Sequence, residues 1–156
     1  MDTRELRNCF GKFATGVTVV SWKDDDGNRS GITVNSFTSV SLDPALVLVS
    51  IDKRAKALQG LKNRAFIVNI LSSTQENIAW QFAGRPQEDL VINWEDTMIG
   101  PKIADTVATI ECLPWKEYDC GDHVLFVGEV KEFSYRNESV LMFFSGSFLN
   151  TKVNQS

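Results

Sequence analysis

The chain has 156 residues, with 16 Lys plus Arg against 20 Asp plus Glu, one His, and a formal net charge of −4. Its 43% hydrophobic and 23% charged residues fit one globular domain over 1–156 and exclude a disordered chain. The mild acidity argues against a nucleic-acid or membrane-surface binder, and the single histidine excludes a multi-His metal centre.

Leu6, Cys9, Phe10 and Phe13 fall at i, i+3, i+4 and i+7, which predicts a helix with one apolar stripe. Asp2 and Glu5 supply a capping-box-like start. Val17–Trp22 is compact and β-branched, a strand, and Asp24–Asn28 reads as a turn into a hairpin partner over Gly31–Val34. Asn35–Leu42 mixes strand formers with hydroxyl and amide side chains, and Asp43-Pro44 ends it. Ala45–Ile51 is a nearly continuous apolar run, expected to be a strand buried on both faces. A short helix over Lys53–Leu61 and a buried strand over Ala65–Leu71 follow. Ser73 is expected to open a helix, with Glu76 reaching back to its amide and Gly84 as the stop. Arg85–Lys102 has two prolines and no period, and reads as a loop. Three strands close the pattern: Thr106–Leu113, His123–Phe133 and Val140–Phe144. Six or seven strands, mostly antiparallel neighbours, with three helices make a β-barrel with helices at its ends.

Cys9, Cys112 and Cys120 are odd in number and lack a C-x-x-C, which suggests reduced thiols. The first residues lack the apolar core of a signal peptide, and no apolar run approaches the ~20 residues of a membrane helix. The expected location is the cytoplasm.

No G-x-G-x-x-G, P-loop or G-x-S-x-G is present. Thr33, Asn35, Ser36 and Ser39 leave two readings open: an edge segment whose side chains cap local turns, or a binding wall for a planar polar ring. Lys53, Arg54 and Lys56 at a predicted helix start are either a solvated surface run or, with free amides, an anion site suited to a phosphate, to which Arg85 adds a cation. His123, after Gly121-Asp122 at a strand start, is the chain's one imidazole, a residue type suited to touch a ligand.

Six stretches in this order resemble the short-chain flavin reductase family: Phe13–Val20, Thr33–Pro44, Phe66–Leu71, Phe82–Gly84, Gly121–Val130 and Phe143–Phe148. The resemblance implies a mainly β fold with a few helices, the Greek-key antiparallel split barrel of the FMN-binding type. It implies an NAD(P)H:flavin oxidoreductase, with FMN or FAD as flavin and NADH or NADPH as co-substrate. It also implies a homodimer that supplies reduced flavin to a partner monooxygenase. The alternative is an FMN-binding electron-transfer protein without NAD(P)H oxidation of its own. Carried over by position, Thr33, Val34, Asn35 and Ser36 would face the isoalloxazine and ribityl chain, with Ser39 on the same segment. Ser50, Lys53, Arg54 and Lys56 would approach the phosphate, with Phe82, Gly84 and Arg85 nearby. His123 would sit by the nicotinamide and Phe148 close to the same pocket. Ala55 and Ala57 stand where many members carry a hydroxyl, which shifts the phosphate onto backbone amides and the neighbouring cations. Ser145–Phe148 stands where relatives often carry arginines and a tyrosine.

Overall fold

A computed structural model describes residues 1–151; the end of the expected 1–156 domain lies outside the described residues. The chain order is α1 (Thr3–Phe10), β1 (Thr15–Gly16), β2 (Thr18–Lys23), β3 (Arg29–Val34), β4 (Thr38–Leu42), β5 (Ala45–Asp52) and α2 (Ala57–Leu61). It continues with β6 (Phe66–Ile70), α3 (Glu76–Gln81), β7 (Trp94–Asp96), β8 (Pro101–Ile103), β9 (Ala108–Cys120), β10 (His123–Tyr135), β11 (Val140–Phe144) and β12 (Ser147–Thr151).

Seven strands form one antiparallel sheet in the order β3-β2-β6-β9-β10-β5-β4. β1, β11 and β12 make a second sheet, and β7 and β8 a hairpin. The large sheet does not close through strand pairing. Instead Ser36, just past β3, clasps β5 across the gap: its Oγ donates to Ser50 O at 2.8 Å and accepts from Ser50 N at 3.0 Å. This is the expected mainly β, split-barrel architecture, with a side chain standing in for a missing ladder.

The barrel interior holds Val20, Trp22, Val49, Ile51, Phe66, Val68, Cys112 and Phe126. A second cluster, Val17, Val19, Leu71, Ala79, Ile103 and Leu141, seats α3 and β11 on the outer face of β2 and β6. Gly128 permits the tightest interior approach. A Cβ there would stand 2.6 Å from Phe66 Cζ and 2.7 Å from Cys112 Cβ. The β9–β10 register shifts beside it, between Val127 and Gly128.

Several boundaries differ from the sequence expectation. β5 alternates, with Val47, Val49 and Ile51 buried and the intervening residues half-buried, because β4 and β10 flank it in a curved sheet with one inner face. α2 starts at Ala57, not Lys53, because Asp52 Oδ1 accepts from Arg54 N at 2.8 Å and Ala55 N donates to Asp52 O, which makes a turn first. Ser73 does not cap α3. Its amide donates to Ser139 O, and Gln75 Oε1 takes the Ser72 amide instead. The segment read as a loop contains β7 and β8, held to the barrel by Ser21 Oγ donating to Pro101 O at 2.6 Å and by Ile103 N donating to Asn69 Oδ1 at 2.8 Å. The described residues hold twelve strands where six or seven were expected.

Candidate functional site

Thr33 is the hub of the site. On β3 its amide donates to Phe82 O at 3.0 Å, and its Oγ1 donates to Ala79 O at 2.6 Å. These bonds tie the C-terminal end of α3 to the barrel wall. Gly31, two residues earlier, allows the contact, since a Cβ there would meet Phe82 at 3.0 Å. α3 ends at Gln81, and Gly84, at φ +83°, turns the chain away.

Two cavities share Thr33 and Ala83 as their common wall. One, of about 470 Å³, runs from Gly31–Thr33 to the Ala55–Ala57 turn and Phe82–Gly84. The other, of about 280 Å³, is bounded by Val17, Val34, Asn35, Trp80, Phe143 and Phe148. Asn35 also borders a third cavity of about 240 Å³ with Thr15, Thr18 and Phe37. Together they make a branched groove along one backbone segment, Gly31–Asn35. It has a polar limb at the α2 turn and an aromatic limb at Trp80.

The groove can accept a polar planar ligand. Thr15 Oγ1 is buried with no hydrogen-bond partner among the described residues, and Thr15 lines the third cavity. The Asn35 side chain is exposed and carries no internal hydrogen bond among them either. An orphaned hydroxyl and a free amide around Asn35 suit a ring with hydrogen-bonding edges.

The expected phosphate cations separate on inspection. Arg54 forks onto Asp52, with Nη2 to Oδ2 at 2.9 Å, and this guanidinium holds the Asp52 carboxyl well below the usual range. Lys53 Nζ lies 3.9 Å from Asp119 Oδ2. Lys56 has no carboxylate partner among the described residues and lines the polar limb. Arg85 likewise pairs with no carboxylate among them; its guanidinium lies 4.7 Å from the Trp80 ring centroid. The five-residue α2 is too short to offer the helix-end anion site considered from sequence.

The structure therefore brings Thr33, Val34, Asn35, Lys56, Phe82, Gly84 and Phe148 to one groove. Ser36 and Ser50 are committed to the clasp through the Ser36 hydroxyl. Ser39 stands elsewhere, on an apolar groove with Leu42, Phe133 and Tyr135, because the β4 register turns it to that face. His123 lines neither limb. It sits at the start of β10, with Nδ1 2.7 Å from Asp122 Oδ1, and this bond keeps the Asp122 carboxyl below its ordinary pKa. Lys53 N donates to Asp122 O at 2.9 Å and joins this hairpin to the α2 turn.

Sequence reasoning missed Thr15, Trp80, Ala83 and Phe143. Trp80 was hidden because the apolar stripe of α3 runs through Ile78, Ala79 and Phe82. Thr15 was hidden because only tertiary packing shows which hydroxyl has no partner.

Comparison with known proteins supplies the family. The model of the flavin reductase like domain matches residues 10–152. A probable flavin reductase of Rhizobium meliloti is 38% identical over 97% of this chain and 50% of its own. The FMN reductase (NADH) SmoA of Agrobacterium fabrum is 40% identical over 94% of this chain and 85% of its own. Among solved structures, the flavin reductase PheA2 superposes with a TM-score of 0.92 at 41% identity, covering 99% of this chain and 100% of that one. The chain spans about half the length of two of the curated relatives it matches. With 143 of its 156 residues inside the family model and a groove built along the Gly31–Asn35 segment, the chain belongs to the flavin reductase like family.

Proposed function

We propose that the chain is an NAD(P)H:flavin oxidoreductase, one domain over 1–156, that reduces FMN or FAD. One observation carries the reading: a branched groove whose polar limb ends at the unpaired Lys56 and whose centre is Asn35 beside the orphaned Thr15 hydroxyl. This is the shape and polarity of a ribityl-phosphate limb joined to a ring site. A bound flavin would supply the two-electron redox chemistry, with Lys56, Asn35 and Thr15 placed to hold it.

The chain's own residues bind, orient and exclude water. The Lys56 ammonium and the backbone of the Ala55–Ala57 turn receive the phosphate, and Gly84 leaves backbone exposed beside it. Thr33 has spent its proton on Ala79 O, so toward a ligand its hydroxyl only accepts. Asn35 and Thr15 offer the donors a ring carbonyl or ring nitrogen needs. His123, oriented through Nδ1 by Asp122, keeps Nε2 for the nicotinamide carboxamide or a phosphate and moves no obligatory proton.

The functional unit we propose is a homodimer. Phe10 and Phe13 are 67% and 79% exposed, and no residue of α1 is buried. Leu42, Phe133 and Tyr135 form a further open apolar groove. Such surface on a chain this small calls for a cover, and a second copy brings the same groove to itself. Relatives named as reductase components or subunits of monooxygenases support a partner oxygenase as the consumer of reduced flavin. The location we propose is the cytoplasm. Among the described residues no helix is long and apolar enough to cross a membrane.

The test is oxidation of NADH and NADPH with FMN and FAD titrated in turn. Saturable oxidation at micromolar flavin supports the reading. Flavin binding without nucleotide oxidation would favour the electron carrier, and failure to bind flavin would defeat both.

A further inference from the structure

β6 and β9 pair only as far as Phe66 and Cys112. Before Phe66 the chain turns away at Asn63, φ +51°, while β9 runs on to Cys120 against β10 alone. A notch opens between them and holds a cavity of about 330 Å³ that shares no lining residue with the groove described above. Its floor is apolar, made by the buried side chains of Leu61, Phe66 and Phe126. Its rim is shaped by a bulge. Lys116 pairs with Val127 and Pro114 with Gly128, which leaves Trp115 as the extra residue of β9. An extra residue breaks the strand's alternation, so Trp115 and Lys116, neighbours in sequence, both line the cavity. The Trp115 side chain is half-exposed and has no ring partner among the described residues. Lys116 has no carboxylate partner among them. Arg64, on the β6 side, donates through Nη1 to Lys23 O and through Nη2 to Asp25 Oδ1, but its buried Nε–H has no acceptor among them. The one carboxylate of the lining, Glu117, is engaged: its Oε2 accepts from Asn63 N at 2.7 Å across the notch.

We propose that this notch is a second ligand site, for a small carboxylic acid with a flat apolar body. The body lies on the apolar floor beside the Trp115 ring, and the carboxylate is held by the cations of Arg64 and Lys116. The proposal goes beyond the reductase reading and does not rest on it. Charge and shape select this class together. The lining carries two cations against one engaged carboxylate, in a chain whose net charge is −4, so the site favours an anion. A bare anion such as phosphate leaves the floor and the indole uncovered, and a neutral ring leaves the cations without a counter-charge. A cavity of this volume takes one substituted ring.

The experiment is an NMR titration of the full chain with benzoate as the probe. Wild type is expected to bind with a Kd of about 1 mM or tighter, and the Trp115 indole N–H signal moves as the site fills. Benzamide, which lacks the charge, and inorganic phosphate, which lacks the ring, each bind about tenfold more weakly or not at all. Trp115→Ala and Lys116→Gln each raise the benzoate Kd about five- to tenfold. Arg64→Gln raises it at least as much; should that variant fail to fold, the two rim substitutions still decide. Lys56→Gln, in the flavin groove, leaves the benzoate Kd within about twofold. The proposal falls if benzoate does not bind, or if phosphate binds as tightly. It also falls if Lys56→Gln weakens benzoate while Trp115→Ala does not, because the acid then sits in the flavin groove. FMN is titrated into the same wild-type protein. Failure of FMN alone to bind defeats the reductase reading and leaves this site standing, and failure of benzoate alone does the reverse.

Discussion

Three cations stand within four residues at the end of β5, but their surroundings make them unequal. Arg54 is spent on Asp52, Lys53 leans toward Asp119, and Lys56 alone faces the polar limb. Lys56→Gln is therefore expected to weaken FMN binding about five- to tenfold in a fluorescence titration, while Arg54→Gln stays within about twofold. The three cysteines separate in the same way. Cys9 and Cys120 are exposed, whereas burial pushes the Cys112 thiol up to about 12. A thiol held protonated against Phe66 and the barrel wall is a poor nucleophile. In a disulfide-exchange assay at pH 8, Cys112 is expected to react only after denaturant is added.

At the scale of elements, the joints between strands carry as much information as the strands. Ser36 replaces a whole ladder by both donating to and accepting from Ser50. Ser36→Ala strands two polar backbone groups at a partly buried seam and should cost about 1–2 kcal/mol in denaturant melts. It also loosens the Asn35 segment, so flavin affinity should fall with stability. The turn after β5 responds to acid. The folded Asp52 carboxyl lies below its ordinary value of 3.8. Its contribution is therefore complete above about pH 4 and is lost as pH falls through the depressed folded value. The gap in melting temperature between wild type and Asp52→Asn should be open at pH 7 and narrow toward pH 2. A gap that widens in acid would contradict this linkage. The hairpin of β7 and β8 shows why short elements escape a sequence reading. Three-residue strands have too few positions to display a period, and two buried side chains of the barrel, Ser21 and Asn69, hold this hairpin in place.

At the scale of the molecule, the distribution of apolar surface is the organising fact. An amphipathic helix normally buries its stripe, but among the described residues no residue of α1 is more than half-buried. Its Asp2 cap is intact, with Oδ1 accepting from Arg4 N and Glu5 N, so the helix is well formed, and in the dimer we propose the second copy would cover its stripe. Light scattering is expected to give twice the chain mass. Phe13→Asp paired with Tyr135→Asp should drive it toward one chain mass, and a wild type already at one chain mass would refute the dimer.

Much of the fold was legible because the apolar periodicities are local. The strands of residues 18–23, 45–52 and 66–70, the turn at Gly27 and the helix at α1 all follow from patterns a few residues long. The site was legible in outline, since the Thr33–Ser36 segment and Phe82–Gly84 stand out as polar or turn-forming residues between apolar strands. The sequence by itself determined a small β-rich domain with a lone histidine. The tertiary structure alone decided which hydroxyls are free and which are spent. Thr33 and Ser36 proved to be joints, and Thr15 an orphan. It alone sent Ser39 to another face and brought Trp80 from α3 against Phe148 from β12. The physical reason is one of range. Periodicity reports which way a side chain points from its own strand or helix, while a hydrogen-bond partner or a facing ring comes from a distant part of the chain and appears only when the barrel is assembled.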